Sequence, residues 1–150
     1  MNLRDAVDIP PLWLALFAAG GFGQARLIGP DLRALWGWPA GGVLVLAGMA
    51  LMAASAVRFM RQRTSIVPHR KPVALITSGV YRFSRNPIYL ADTLILAGLC
   101  LGWGAVSGLV LVPAFMALIQ RRFILAEESR LGSAFGPDFT AWATRTPRWL

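Results

Sequence analysis

Apolar blocks separated by short polar stretches run the length of this chain, and their spacing predicts helices throughout. Leu12 to Phe22 is almost purely apolar, with Pro10 and Pro11 at its start and Gln24 and Arg26 at its end. The expected element is a helix over about 11–27, since Pro suits a first helical turn. Arg4, Asp5 and Asp8 precede it. The acidic residues spoil the positive leader of a signal peptide, and no clear small-residue cleavage site follows, so the expectation is a retained helix. Residues 29–39 read as a loop carrying Pro30, Asp31 and Arg33, with Trp36 and Trp38 where an interfacial aromatic belt would lie. A second apolar run, over about 40–58, carries Gly41, Gly42, Gly48, Ala53, Ala54 and Ser55, small residues that permit close helix contact.

Ile88 to Ile119 is the most informative apolar region. As one helix its roughly 32 residues, at about 1.5 Å each, would reach about 48 Å, too long for a hydrocarbon core of about 30 Å. It is therefore expected to fold back on itself near Gly102, Trp103 and Gly104, giving short helices over about 87–102 and 105–120. Pro113 in the second is tolerable in lipid if neighbours satisfy the freed carbonyl. A hairpin of this kind brings the polar residues before Pro87 and those after Gln120 to one face of the membrane.

Composition and charge change the picture in one respect, which is orientation. The chain is 56% hydrophobic with a formal net charge of +8. Residues 58–86 contain no acidic residue, and together with the tail at 121–150 they hold twelve of the fifteen Lys and Arg. Basic residues gathered beside apolar blocks mark cytoplasmic membrane edges rather than a nucleic-acid footprint, so no nucleic-acid partner is expected. The resulting expectation is one all-α integral-membrane domain in a bacterial inner membrane. It has about four spans, including the short hairpin, with both termini cytoplasmic; residues 121–150 read as a helix continuing from the fourth span, a break at Gly136-Pro137 and a short amphipathic tail at the interface. The one cysteine, Cys100, has no partner for a disulfide or zinc site and reads as a small buried residue; no metal site is expected.

Two polar clusters carry candidate chemistry. Asn86-Pro87 suits a helix start, as N-cap and first-turn residue, but Arg85 beside it opposes the positive end of the helix dipole. A bound anion would relieve that conflict, because helix N-terminal amides and a guanidinium both donate to carboxylates. Glu127 and Glu128 pose the reverse problem: they follow the fourth apolar run, where a helix C-terminus disfavours negative charge. Either nearby arginines (Arg121, Arg122, Arg130) neutralise them or they await a cationic ligand. Asp92, about one and a half turns past Pro87, is an ionisable group within an apolar run and so a site candidate by default, but pairing with an arginine of the basic loop is the favoured reading. Trp142 and Trp149 read as interfacial anchors, with adenine stacking as the other use of such a ring. A zwitterionic cofactor with an extra positive centre suits such a face; S-adenosylmethionine is one, though spacing alone does not single it out.

The pattern Leu75-Ile-Thr-Ser-Gly-Val-Tyr81, Arg85-Asn-Pro-Ile-Tyr89, an apolar hairpin, Glu127-Glu128 and Phe135-Gly-Pro-Asp-Phe139 resembles the isoprenylcysteine carboxyl methyltransferases and the related phospholipid methyltransferases. The resemblance covers Arg58 to Leu150 and implies an integral-membrane enzyme using S-adenosylmethionine. It implies that Arg85, Asn86, Tyr89, Glu127 and Glu128 line the cofactor site with Tyr81 and His69 close by, and that Arg58 lies near a substrate carboxylate, Arg58 and Arg85 being the catalytic candidates. The first group commonly has His where Asn86 stands here. The second has a Gly-x-Gly motif in an earlier span, where this chain has Gly48-Met-Ala. The functional expectation is methylation of a lipophilic acceptor at the cytoplasmic face, of the isoprenylcysteine carboxyl type. The alternatives are phospholipid N-methylation, thiol methylation, or a non-catalytic helical scaffold in the bilayer.

Overall fold

The computed structural model describes residues 9–28, 34–62 and 74–150; His69, Lys71 and the rest of residues 63–73 in the basic loop lie outside the described residues. Every regular element among the described residues is helical. In chain order these are α1 (Pro10–Ile28), α2 (Ala34–Arg61), a 3-10 turn (Gly79–Arg82), α3 (Pro87–Gly102), a 3-10 turn (Val106–Val110), α4 (Leu111–Ile119), a π-helical turn (Gln120–Ile124), α5 (Leu125–Phe135) and α6 (Pro137–Ala143).

The sequence pattern anticipates α1, α3 and the hairpin closely, and it misplaces the start of α2. Helix α2 begins at Ala34, so Trp36 and Trp38 are helical residues rather than loop residues, and both rings are exposed. Two stretches are long and apolar enough to cross a membrane, Trp36–Arg61 with mean hydropathy 2.0 and Val106–Phe135 with 1.7. Only 17% and 22% of those windows, respectively, are buried within the protein. A helix at the centre of a water-soluble fold would be mostly covered, so apolar faces turned outward identify a helical membrane protein. The pattern led to an expected count of four spans, whereas length and composition give two such helices among the described residues, with α3 a shorter apolar helix.

Helices α2 and α3 pack most closely, and glycine makes that possible. A Cβ at Gly41 would strike the Gly98 carbonyl, and one at Gly48 would lie 2.8 Å from the Ala91 carbonyl and 2.7 Å from Ile95 Cγ1. Gly42, on the opposite side, faces open space. Lipid tails are as apolar as the side chains, so close packing, not exclusion of water, holds such helices together. The hairpin turns at Gly104, whose φ of +73° is a left-handed conformation that glycine takes without penalty. Leu96 and Cys100 of α3 then bury against Phe115 and Ile119 of α4. Helix α1 closes the remaining side: Phe17 meets Phe115 edge to face at 5.4 Å, Phe22 meets Trp103 at 5.3 Å, and Gln24 Nε2 donates to Ser107 Oγ at 2.7 Å.

As expected from the sequence, the helix runs on past the end of the apolar run after α4. It continues through the π-helical turn into α5, so Glu127 and Glu128 lie in the first turn of α5 and well within a continuous helical rod, not at a C-terminus. The expected dipole conflict at these carboxylates is therefore absent. One extra residue in a turn rotates everything beyond it by about 100° relative to an uninterrupted α-helix.

The tail turns at Gly136 (φ +48°) and folds back over the loop before α3. Trp142 is buried, at 5% exposure, and its Nε1 donates to the Tyr81 carbonyl at 3.1 Å, while Trp149 Nε1 donates to Gln120 Oε1 at 3.0 Å. Both indole N–H groups are thus used within the fold-back.

Candidate functional site

A cavity of about 340 Å³ opens where the start of α3, the first turn of α5 and the folded-back tail meet. Arg85, Asn86, Tyr89 and Asp92 line it from the α3 side, Glu127, Glu128 and Leu131 from α5. Tyr81, Phe139 and Trp142 cover it, and Met52 and Phe59 of α2 with Pro10 and Pro11 of α1 complete an otherwise apolar wall. A largely apolar pocket of this size with a few convergent polar groups is the usual form of a small-molecule site.

The conflict read at Arg85 is resolved within the chain. Arg85 Nη1 lies 2.9 Å from Glu128 Oε1, and both side chains are largely buried. Glu128 is gripped a second time by Arg148 of the tail, whose Nε donates to Oε1 at 3.0 Å and Nη2 to Oε2 at 2.6 Å. The arginines that answer Glu128 are thus Arg85 and Arg148, distant in sequence, and not the neighbours on its own helix. The hydrogen bonds to Glu128 raise the guanidinium pKa of Arg148 above its ordinary value, despite a smaller opposing cost of burial. Arg85 keeps one buried donor, Nε, without a hydrogen-bond partner among the described residues.

Asn86 stands at the N-cap position of α3, yet its side chain caps nothing. Its Nδ2 donates to the Arg148 carbonyl at 3.0 Å, and its backbone N–H donates to Ser84 Oγ at 3.1 Å. The Arg85 N–H donates to the Pro147 carbonyl at 2.9 Å. This short run therefore carries the site on one side and the tail on the other. Pro87 does occupy the first turn of α3, as its fixed φ favours.

Tyr89 and Glu127 are joined directly, the phenol donating to Oε1 at 2.7 Å. Burial, and then the Glu127 carboxylate, push the Tyr81 hydroxyl well above the usual tyrosine range, while the Ser55 hydroxyl pulls the other way. Tyr81 is accordingly a neutral phenol at any physiological pH. Asp92 is 4% exposed and has no hydrogen-bond or ion-pair partner among the described residues. No arginine pairs with it there.

Of the site residues expected from sequence, Tyr81, Arg85, Asn86, Tyr89, Glu127 and Glu128 line this one cavity. Arg58 does not: its guanidinium lies against Gly79, where a Cβ would collide with Nε. Gly79 takes φ +65° in a turn that leaves no room for a side chain. His69 lies outside the described residues. Sequence reasoning missed Arg148, Phe139 and the walls from α1 and α2. Among these, Arg148 offered a signal, as a cation near the end of a chain whose only paired carboxylates are Glu127 and Glu128.

Residues 38–138 match the sequence model of the phospholipid methyltransferase family. The chain belongs to that family. The matched span runs from α2 through the hairpin to the start of α6, and so takes in every α3 and α5 residue of the cavity while leaving Trp142 and Arg148 outside. The cobalt-zinc-cadmium resistance protein CzcN of Cupriavidus metallidurans is 38% identical to this family member over 85 residues, a match covering 54% of this chain and 37% of that protein. No solved structure matches.

Proposed function

We propose that this protein is an integral-membrane methyltransferase that uses S-adenosylmethionine to methylate a lipophilic acceptor. The observation that carries the reading is the single cavity in which Arg85 and Asn86 face Glu127 and Glu128 beside an apolar wall. The donor set fits the cofactor. Arg85, with its unpartnered buried Nε, has a donor left for the cofactor carboxylate. Glu127 and Glu128 offer acceptors for an ammonium or a ribose diol, and Trp142 and Phe139 offer aromatic faces. When bound, the cofactor supplies an activated methyl group. This chain's residues hold donor and acceptor together and keep water out, the two means by which a protein without a covalent step accelerates group transfer.

The proposal extends to topology and acceptor entry. Four spans are assigned, α1, α2, α3 and the run from Val106, with the basic loop and both termini on the cytoplasmic face by the charge bias. Helix α3, at 16 residues, is short for a bilayer core, and its close packing on α2 supports counting it as a span. The acceptor reaches the apolar wall laterally from the bilayer. A carboxylate acceptor of the isoprenylcysteine type would need a cation beside that wall, and Arg58 is turned to Gly79 instead. The phospholipid and thiol types thus remain better supported than the carboxyl type.

Calorimetric titration of the purified protein in detergent with S-adenosylhomocysteine tests the reading. Binding to the wild type and its loss in Glu128→Gln, with the variant still folded by circular dichroism, is the expected result; a flat wild-type titration would sink the proposal.

A further inference from the structure

Glu128 is shared unevenly between its two arginines. Arg148 holds it side-on, Nε donating to Oε1 at 3.0 Å and Nη2 to Oε2 at 2.6 Å, whereas Arg85 meets Oε1 through Nη1 at 2.9 Å. Arg85 and Glu128 line the cavity, while Arg148 lies outside its lining. The tail residue therefore takes hold of the carboxylate from behind, from the more exposed side: its side chain is 31% exposed against 14% for Glu128. The segment that carries Arg85 fixes Arg148 in this position. The Arg85 N–H donates to the Pro147 carbonyl at 2.9 Å, and Asn86 Nδ2 donates to the Arg148 carbonyl at 3.0 Å.

Two parallel N–H···O bonds form the strong, forked geometry between an arginine and a carboxylate. A largely buried carboxylate with one arginine in reach draws that arginine into the fork, because a poorly paired charge there is costly. In this site Arg148 already fills the fork. Arg85 is left with its contact through Nη1 and with Nε, which is buried and without a partner among the described residues.

We propose that Arg148 is a positioning residue for the cofactor: by filling the fork of Glu128 from outside the cavity, it keeps Arg85 available to the carboxylate of the cofactor's amino-acid end. This rests on the methyltransferase reading above, and it adds how one of the binding residues is kept free to bind. Without Arg148, Glu128 captures Arg85 as a forked pair, and the cofactor's carboxylate loses its donor. The other groups of the cofactor keep theirs.

The test titrates the purified full chain in detergent, by calorimetry, with S-adenosylmethionine and with its decarboxylated form. The second ligand retains the ammonium, the sulfonium and the adenosine, so the pair differs in the carboxylate alone. Wild type is expected to prefer S-adenosylmethionine by about tenfold or more, the size of a hydrogen bond between charged groups. Arg148→Ala is expected to bind S-adenosylmethionine about tenfold more weakly and the decarboxylated form within about threefold of wild type, so that the preference disappears. Loosening of the tail as a whole would weaken both ligands alike, which makes their ratio the readout. If the Ala variant does not fold, Arg148→Gln takes its place. A wild type without preference, or a variant that keeps the preference or loses both ligands in parallel, would overturn this inference and leave the methyltransferase reading standing. A wild type that binds neither form would overturn both.

Discussion

Arg148 grips Glu128 through two nearly parallel hydrogen bonds, of 3.0 and 2.6 Å, and so ties the end of the chain to a helix that begins twenty-odd residues earlier. The same residue's carbonyl accepts from Asn86, which closes the tail over the start of α3 as well. Arg148→Ala leaves Arg85 to balance Glu128, so the carboxylate is not stranded. Because Arg148 is partly exposed, the loss should be modest, about 1 kcal/mol. Hydrogen exchange should show faster exchange of the amides of residues 144–150, with the amides of α3 little changed.

Gly48 and Gly42 lie on the same helix, and they should respond to alanine in opposite directions. A Cβ at Gly48 presses on the Ala91 carbonyl and on Ile95, so Gly48→Ala should destabilise by about 1–3 kcal/mol as α2 and α3 are forced apart. At Gly42 nothing lies within 4 Å, and alanine should be neutral or stabilise by up to about 1 kcal/mol through helix propensity. Unfolding in a graded mixture of mild and denaturing detergent reads both.

Gly79 and Arg58 form a third pair. Gly79→Ala introduces a clash with the Arg58 guanidinium and a positive φ that costs about 1–2 kcal/mol for a residue with a Cβ. Adding Arg58→Ala should recover the steric part and leave the backbone part. A double-mutant cycle on thermal stability should therefore show a positive coupling and incomplete rescue.

The chain has two tyrosines, so a Tyr89→Phe background leaves Tyr81 as the one phenol that can ionise. Burial and the Glu127 carboxylate hold its hydroxyl above the ordinary value of 10.0. Spectrophotometric titration should show no phenolate until the pH is well above 10, while the folded state persists. The sign follows from proton linkage: the folded state keeps a proton that the unfolded state gives up near pH 10. This contribution to stability is whole below about pH 10 and falls as pH rises beyond it.

Much of this architecture was legible because apolar block length and glycine position are local signals. The limits of α3, the hairpin turn at Gly102–Gly104 and the continuity of the run from Val106 all follow from them. Arg85, Asn86, Tyr89, Glu127 and Glu128 stood out because each is a polar residue beside an apolar block. What the sequence left hidden was long-range pairing. The tail's return is fixed by Trp142 on the Tyr81 carbonyl and Arg148 on Glu128, contacts between residues with no periodic relation. The π-helical turn was equally hidden, since Gln-Arg-Arg-Phe-Ile has no feature that favours a wide turn over an α-turn. Setting Glu127 and Glu128 against a helix C-terminus came from the end of the apolar run near Gln120, beyond which the helix in fact continues to Phe135.

That wide turn makes the rod from Val106 a two-phase object. Below it, the helical phase is set by what α3 and α1 require of Phe115 and Ile119; above it, a second phase presents Glu127, Glu128 and Leu131 to the cavity. Changes in side-chain packing before Gln120 therefore need not turn the carboxylates away from the cavity.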